Sequence, residues 1–483
     1  MTEIIEVPSP FCGIGTDDLT VQVNDLAVSV MANGCAVNTP AFEQVITDTS
    51  ARVDGKDVSL EVAVAKAAEL LSVSNQPVIG GCATDVNGMR GLMALADHSG
   101  AVVDNMNFTG ARRNFLALQD TGWMNTTLAE IKNRCDYLLV VGVDLEGFAP
   151  RFFERYLWNQ ESMFLSDTSQ RQIVYLGKAP SGEASISPAG VKAKVLACKD
   201  ADLPEVMAVL RALVKGKKIV ADTICGIAVS DLQEVADQLK AAKYGVVTWA
   251  AGALNFDQAE LTVQMLSEMV KDINTMDTRC SGFPLGGKEG DQTANQVCGW
   301  TSAYPARARF SSGFPEYDPF LYDSNVMLAN GEADVLVWVQ AFNVTSVPPV
   351  TELPTIVVAR SGMVFDKQPD VFIPVGTPGI DHAGHAYRLD NVVAIRLKKL
   401  RESGLPSTAD VLNAIEQALE ERIIMLIKLT GGTVYDPASG IDGKVQTLYV
   451  QNGRFIKRPA NDVKIDKEYD LKTKVLMAGA IDM

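Results

Sequence analysis

From about residue 60 to residue 400 the chain alternates short, wholly apolar runs with amphipathic stretches of helical period, and no feature restricts its fold more. The runs include "QPVIGGCA", "AVVDNM", "DYLLVVGVD", "RQIVYLG", "KKIVADTIC", "YGVVTWAAG", "ADVLVWVQ", "PTIVVAR" and "VFIPVG". Apolar residues at every position, not at alternate ones, mark strands covered on both faces. Between them, "SLEVAVAKAAELLSVS", "DVNGMRGLMALADHSG", "LPEVMAVLRALVKG" and "SDLQEVADQLKAA" carry apolar residues at helical spacing. Asp85 is placed to cap the second of these helices and Gly100 to stop it. Strands joined through helices are parallel and cross over right-handedly, so an α/β body with two layers of mainly parallel sheet is expected.

The ends differ. Residues 1–60 read as short strands and turns, with "LTVQVNDLAVSVMANGCAV" alternating apolar and polar. "STADVLNAIEQALEER", within 401–424, is a last amphipathic helix, in which Ser407 and Asp410 have capping-box spacing. Residues 425–483 read as strand–turn–strand hairpins that bury little apolar surface alone.

With 483 residues the chain has room for two to four domains, and 43 Lys+Arg against 59 Asp+Glu leave a net charge of −16. So acidic a surface repels phosphate backbones and anionic lipid, arguing against nucleic acid and membrane partners. "MTEIIEVPSP" has neither basic nor apolar signal-peptide character, and no apolar run reaches bilayer-spanning length. Eight cysteines without a Cys-x-x-Cys pair fit reduced thiols in a cytoplasmic protein.

Isolated chemical signals are weak. Phosphate-loop, dinucleotide-binding and nucleophile-elbow motifs are missing, and the glycines of "VIGGCATDVNG" only mark a strand end where ligands often bind. His98 closes a helix, where a capping or surface role is expected. His382 and His385 in "GIDHAGHAYRLDN" have H-x-x-H spacing next to Asp381, which suits zinc, but no further ligand pair lies nearby; a structural loop is the favoured reading. Arg112 and Arg113 could grip an anion or form an ion-paired face. The segment 294–319, rich in aromatics, Gly, Ser and Arg, reads as an irregular stretch used for binding or packing.

Several stretches taken together are similar to one family. "VVDNMNFTGARRNFLALQDTGW", "TLAEIKNRCDYLLVVGVD", "CGWTSAYPARARFSSGFPEYDP", "VFIPVG" and "GIDHAGHAYRLDNV" resemble the B subunit of formylmethanofuran dehydrogenase, in order over roughly residues 5–400. The resemblance implies a molybdopterin-oxidoreductase-like (formate dehydrogenase-like) α/β body. In redox-active members, four cysteines around an Asp-Asp pair hold a 4Fe-4S cluster. Aligned on Asp17-Asp18, those positions are here Ser9, Cys12, Thr16 and Cys35. Two thiols have become hydroxyls, which are poor ligands for iron–sulfur iron. The cysteine or selenocysteine that ligates tungsten or molybdenum aligns with Gly110, flanked by Thr109 and Ala111.

Both losses are similar to the B subunit of the formyltransferase/hydrolase complex of aerobic methylotrophs. That resemblance implies a non-catalytic subunit in tetrahydromethanopterin-linked conversion of formaldehyde to formate, with no cofactor of its own. Its partners would be an amidohydrolase (the A subunit) and a formyltransferase (the C and D subunits). The alternative is an active dehydrogenase B subunit carrying a 4Fe-4S cluster and tungsto- or molybdopterin. The organisation expected is a vestigial cluster region (1–60), the α/β body (61–400), a helix (401–424) and a stub (425–483). The stub resembles the opening of the amidohydrolase and ends at Met483, where that family's H-x-H metal ligands begin. A B frame running into a truncated A frame from Met425 and a shortened B–A fusion both remain open.

Overall fold

The strands Pro77–Ala83, Tyr137–Val141, Val335–Gln340 and Thr355–Arg360 are buried at every residue, as two-faced apolar runs require. The computed structural model describes residues 3–275, 278–286 and 288–422, and in the C-terminal stretch the strands Leu426–Asp436, Ile441–Lys444, Thr447–Gln451, Arg454–Ile456 and Ile465–Met477. The fold is mixed α/β, built on two sheets with parallel strands.

One sheet is wholly parallel. Its spatial order is Lys194–Ala197, Gln172–Gly177, Tyr137–Val141, Gly245–Trp249, Cys280–Pro284. Chain order thus reverses between Tyr137–Val141 and Gly245–Trp249, the kind of switch point at which α/β sheets open a crevice. The other sheet has nine strands. Its parallel centre runs Val102–Val103, Pro77–Ala83, Val335–Gln340, Thr355–Arg360, Val371–Val375. Antiparallel pairs extend both edges: Ala308–Arg309 with Glu316–Tyr317 on one side, Ala51–Val53 with Lys56–Val58 on the other.

Helices cover these sheets where the periodicity places them. Ser59 Oγ accepts from Val62 N to open the helix Leu60–Ser72, and the Asp85 side chain accepts from Gly88 N to open Val86–Ser99. Gly100 ends the latter in the left-handed region at φ 70°, where a side chain is strained. The helix Thr408–Arg422 packs beside both, and their apolar faces (Ala67, Leu71, Leu92, Leu95, Leu412, Ile415) form one core over the large sheet. Its capping box is reciprocal: Ser407 N donates to Asp410 Oδ2 at 3.2 Å and Asp410 N to Ser407 Oγ at 3.1 Å.

Three expectations need correction. "KKIVADTIC" joins neither sheet: only Thr223–Ile224 are extended, in a small hairpin with Ile227–Ala228, and Val220 is 92% exposed. Three consecutive apolar residues between charged ones are too few for a strand covered on both faces. The segment 294–319 is not irregular throughout, because the helix Asp291–Ser302 occupies its first part. The first 60 residues hold, besides the antiparallel strands Glu3–Val7, Leu19–Asn24 and Ala27–Ala32, a short helix, Asn38–Glu43.

In the C-terminal stretch Leu426–Asp436 pairs antiparallel with Thr447–Gln451 and Ile441–Lys444, and parallel with Ile465–Met477. The reading of Met425 as a start residue, and that of the closing 478–483, lie outside the described residues. No helix among the described residues is long and apolar enough to cross a membrane.

Candidate functional site

The loop from Ser9 to Thr16 joins the first two strands and is closed by its backbone, with Ser9 N donating to Thr16 O at 2.8 Å and Gly15 N to Cys12 O at 2.9 Å. Gly15 has φ +57°, a left-handed conformation that strains most side chains, and a Cβ there would have to displace the tip of Ile395, so glycine favours this turn. The fold brings Ser9, Cys12, Thr16 and Cys35 together around a fifth residue, Asn38. Ser9 Oγ donates to Asn38 Oδ1 at 2.6 Å, Asn38 Nδ2 donates to Thr16 Oγ1 at 3.2 Å, and Asn38 N donates to Cys35 Sγ at 3.4 Å. Cys12 Sγ lies 3.5 Å from Thr16 Oγ1. Ser9, Thr16 and Asn38 are buried, so each of these bonds satisfies a group that water cannot reach.

A 4Fe-4S cluster does not fit this arrangement. Four thiolates around the cube would be needed, and two are hydroxyls. Ligands on different irons stand apart across the cluster, whereas Cys12 Sγ and Thr16 Oγ1 touch and the Asn38 amide bridges Ser9 to Thr16. Among the described residues no group of three or more His, Cys, Asp or Glu side chains gathers to hold a metal. The following Asp17-Asp18 pair is clamped from the body. Arg151 reaches both Asp18 oxygens at 2.7 and 2.9 Å, Arg155 Nη1 lies 2.6 Å from Asp18 Oδ2, and Arg155 also bonds Asp17.

Gly110 sits in the first turn of the helix Phe108–Thr121, against the turn Ala251–Ala253 that follows the strand Gly245–Trp249. A Cβ on residue 110 would lie 2.8 Å from both Cα and N of Gly252. Arg113 Nη1 donates to Ala251 O at 2.6 Å and Trp249 Nε1 to Asn114 Oδ1 at 3.0 Å, fastening the helix to the turn and to the strand end before it. At residue 110, the position the resemblance aligns with a metal ligand, backbone therefore packs against backbone, while the neighbouring Ala111 and Asn114 line a cavity of about 410 Å³ with Phe283 and Leu285. Tungsten or molybdenum ligation from residue 110 does not fit either.

No protein-family model matches the chain. It is 26% identical over 435 residues to the B subunit of tungsten-containing formylmethanofuran dehydrogenase 2 of Methanocaldococcus jannaschii, covering 86% of this chain and 98% of that protein. It is 26% identical over 386 residues to the B subunit of the formyltransferase/hydrolase complex Fhc of Methylorubrum extorquens, covering 78% and 98%. Its homologues are these B subunits. Among solved structures, a chain of the Methylorubrum extorquens formyltransferase/hydrolase complex, crystallised with methylofuran, superposes with a TM-score of 0.66 at 26% identity, over 77% of this chain and 99% of that one. Acetylene hydratase from Pelobacter acetylenicus, at a TM-score of 0.56 and 10% identity over 86% of this chain and 69% of its own, shares the fold.

In this B-subunit homologue most of the remaining candidate residues are engaged by neighbours in the fold, although Arg112 Nε and His382 Nε2 are buried without a hydrogen-bond partner among the described residues. Arg307, 1% exposed, lies 3.1 Å from Asp104 Oδ1 and 2.6 Å from Asp323 Oδ2. Burial raises the Asp104 carboxyl above its ordinary value, against the pull of Arg307 and Ser324. Arg112 stacks 4.5 Å over Phe320. His98 Nε2 lies 3.0 Å from Glu420 on the C-terminal helix. His382 Nδ1 is 2.9 Å from Ala383 O, His385 is exposed on the strand Gly384–Tyr387, and Asp381 is bound to Arg401 at 2.7 Å, so these three do not converge. Asn38 and Gly252 are the residues that sequence reasoning missed. The buried hydroxyls of Ser9 and Thr16 need hydrogen-bond partners, and the polar Asn38, three positions after Cys35, was the available signal.

Proposed function

We propose that this chain is the structural, non-catalytic B subunit of a cytoplasmic formyltransferase/hydrolase complex that carries one-carbon units from formaldehyde to formate on tetrahydromethanopterin. Its body is of the molybdopterin-oxidoreductase, formate dehydrogenase-like type. Its partners are the amidohydrolase A subunit and the formyltransferase C and D subunits. The observation that carries this reading is the contact between Gly110 and Gly252, which leaves no space for a metal-ligating side chain. The Asn38 network supports it from the cluster loop. Formyl transfer and formamide hydrolysis move a group and a water molecule but no electrons, so a B subunit without a redox centre leaves that chemistry intact. The α/β body then serves to present an interface, and obligate interfaces typically bury about 2,000 Å² or more.

The alternative, a tungsten- or molybdenum-dependent dehydrogenase subunit with a cluster, draws on the equally similar methanogen relatives, among them a second such B subunit from Methanococcus maripaludis at 27% identity. The ligand positions oppose it. Metal analysis of the anaerobically purified complex tests the choice. Iron, tungsten and molybdenum each below about a tenth of an atom per chain are expected; about four irons with one tungsten or molybdenum, the content of a working site, would overturn the proposal.

A further inference from the structure

The nine-stranded sheet has its own switch point, between the strands Pro77–Ala83 and Val335–Gln340, and a cavity of about 430 Å³ opens at the carboxyl ends of Val335–Gln340 and its neighbour Thr355–Arg360, against the loop that carries Cys12 and Gly13. Open α/β sheets bind ligands at such places, and the volume is that of a small-molecule site. Phe342, just past one strand, and Arg360, at the end of the next, form one wall; Phe11, Ile14, Phe148 and Leu389 supply a largely apolar lining, to which Gln44, Asn343 and Thr345 add neutral polar groups.

The charges in this wall are unbalanced. Arg360 is 3% exposed, and its guanidinium bonds neutral carbonyls: Nη1 donates to Phe342 O at 2.9 Å and Nη2 to Ala41 O at 2.6 Å. Asp381, whose field favours the Arg360 charge, is itself engaged by Arg401 at 2.7 Å. Burial pulls the Arg360 guanidinium down to about 10, with Asp381 opposing the shift and Arg401 adding to it. Lys288 lies 4.4 Å over the Phe148 ring, with no carboxylate at ion-pair distance among the described residues. The one carboxylate in the lining, Glu289, is held by neutral donors, Ser346 Oγ at 2.8 Å, Gln340 Nε2 at 3.3 Å and the Asn343 amide. Two cations against one carboxylate leave a surplus of one positive charge facing an aromatic pocket.

We propose that this cavity binds a small, largely apolar monoanion, with its acidic group toward Arg360 and Lys288 and its apolar body against Phe11, Phe148 and Phe342. A single surplus charge and an aromatic lining suit an aromatic or aliphatic acid better than a polyphosphate, which brings several charges and a polar body. The proposal stands apart from the scaffold reading, because binding is measured on the chain itself and assembly is not.

The probe is 8-anilinonaphthalene-1-sulfonate, an aromatic monoanion whose fluorescence rises in apolar surroundings, titrated into the full-length protein. One saturable site per chain is expected, with affinity at least tenfold above that of the uncharged N-phenyl-1-naphthylamine. Val344→Trp, which adds bulk at the cavity wall, should abolish the site. Lys288→Glu, a change at an exposed side chain that leaves the core untouched, should weaken it at least tenfold. Equal affinity for the uncharged probe, or wild-type affinity in Lys288→Glu, would overturn the proposal, as would probe binding unaffected in a folded Val344→Trp.

Discussion

Gly110 and Gly252 meet so closely that one carbon atom added to residue 110 would sit 2.8 Å from two backbone atoms of the other. Contacts of that kind are not made by real Cβ atoms, so one of the two segments must move to admit any side chain. Gly110→Ala and Gly110→Cys should therefore each destabilise the protein by about 1–3 kcal/mol, the range for overpacking a filled site. Urea denaturation measures this. A Gly110→Cys protein as stable as wild type would mean that the helix and turn separate freely, and would remove the steric objection to a ligand at residue 110.

Asn38→Ala should cost about 1–3 kcal/mol, because Ser9 Oγ loses its acceptor and Thr16 Oγ1 loses a donor in a region without water. The same denaturation experiment applies. A loss below half a kcal/mol would show that the loop repacks, and that Asn38 is not what holds the four positions together.

The clamp on Asp18 makes a prediction in pH. Burial by itself would raise this carboxyl; the hydrogen bond from Arg151 and the charges of Arg155 and Arg151 outweigh it and lower the value below 3.8. A carboxyl lowered in the folded state contributes its full stability above the unfolded value and loses it as pH falls through the folded one. The stability difference between wild type and Asp18→Asn should therefore be constant from pH 7 to 5 and shrink below about pH 4. A difference that stays level down to pH 2.5 would detach Asp18 from the acid response.

Arg307 compensates two carboxylates, Asp104 at 3.1 Å and Asp323 at 2.6 Å, in the interior. Removing one partner of a buried ion pair costs about 3–5 kcal/mol, so Arg307→Met should be among the most damaging single changes. Burial already raises Asp104, and without Arg307 it should rise further. A carboxyl raised in the folded state loses stability as pH climbs from the unfolded value through the folded one. The deficit of Arg307→Met should accordingly be larger at pH 7 than at pH 4.5. Equal deficits at both would show that lost packing, not uncompensated charge, is the cause.

The buried thiols should be inert. Burial pushes Cys135, Cys280 and Cys298 up to about 12 and Cys82 well above its ordinary value. At pH 8 a thiol of that kind is about one part in ten thousand thiolate, the reactive form. Of eight cysteines, no more than four should react with a thiol reagent in the native protein and all eight in denaturant. Fast native labelling of five or more would indicate opening of the core.

Local chemistry made much of this protein legible without coordinates. An apolar run such as "VLVWVQ" can be satisfied only with both faces covered, and the capping pair Ser407 and Asp410 acts within one turn, so strands, helices and the parallel arrangement follow from neighbours in sequence. The hydroxyls of Ser9 and Thr16, and the absence of any side chain at Gly110, are likewise written in the chain. What fills the space was decided elsewhere. Asn38 joins residues up to 29 positions away, Gly252 meets a helix 142 positions earlier in number, and Arg307 finds Asp104 across 203. Such contacts depend on how strands are ordered in the sheets, which local pattern leaves free. Only the folded arrangement could show that Ser9 and Thr16 close on an amide and that Gly110 meets backbone, because close packing is a property of segments brought together and not of either segment alone.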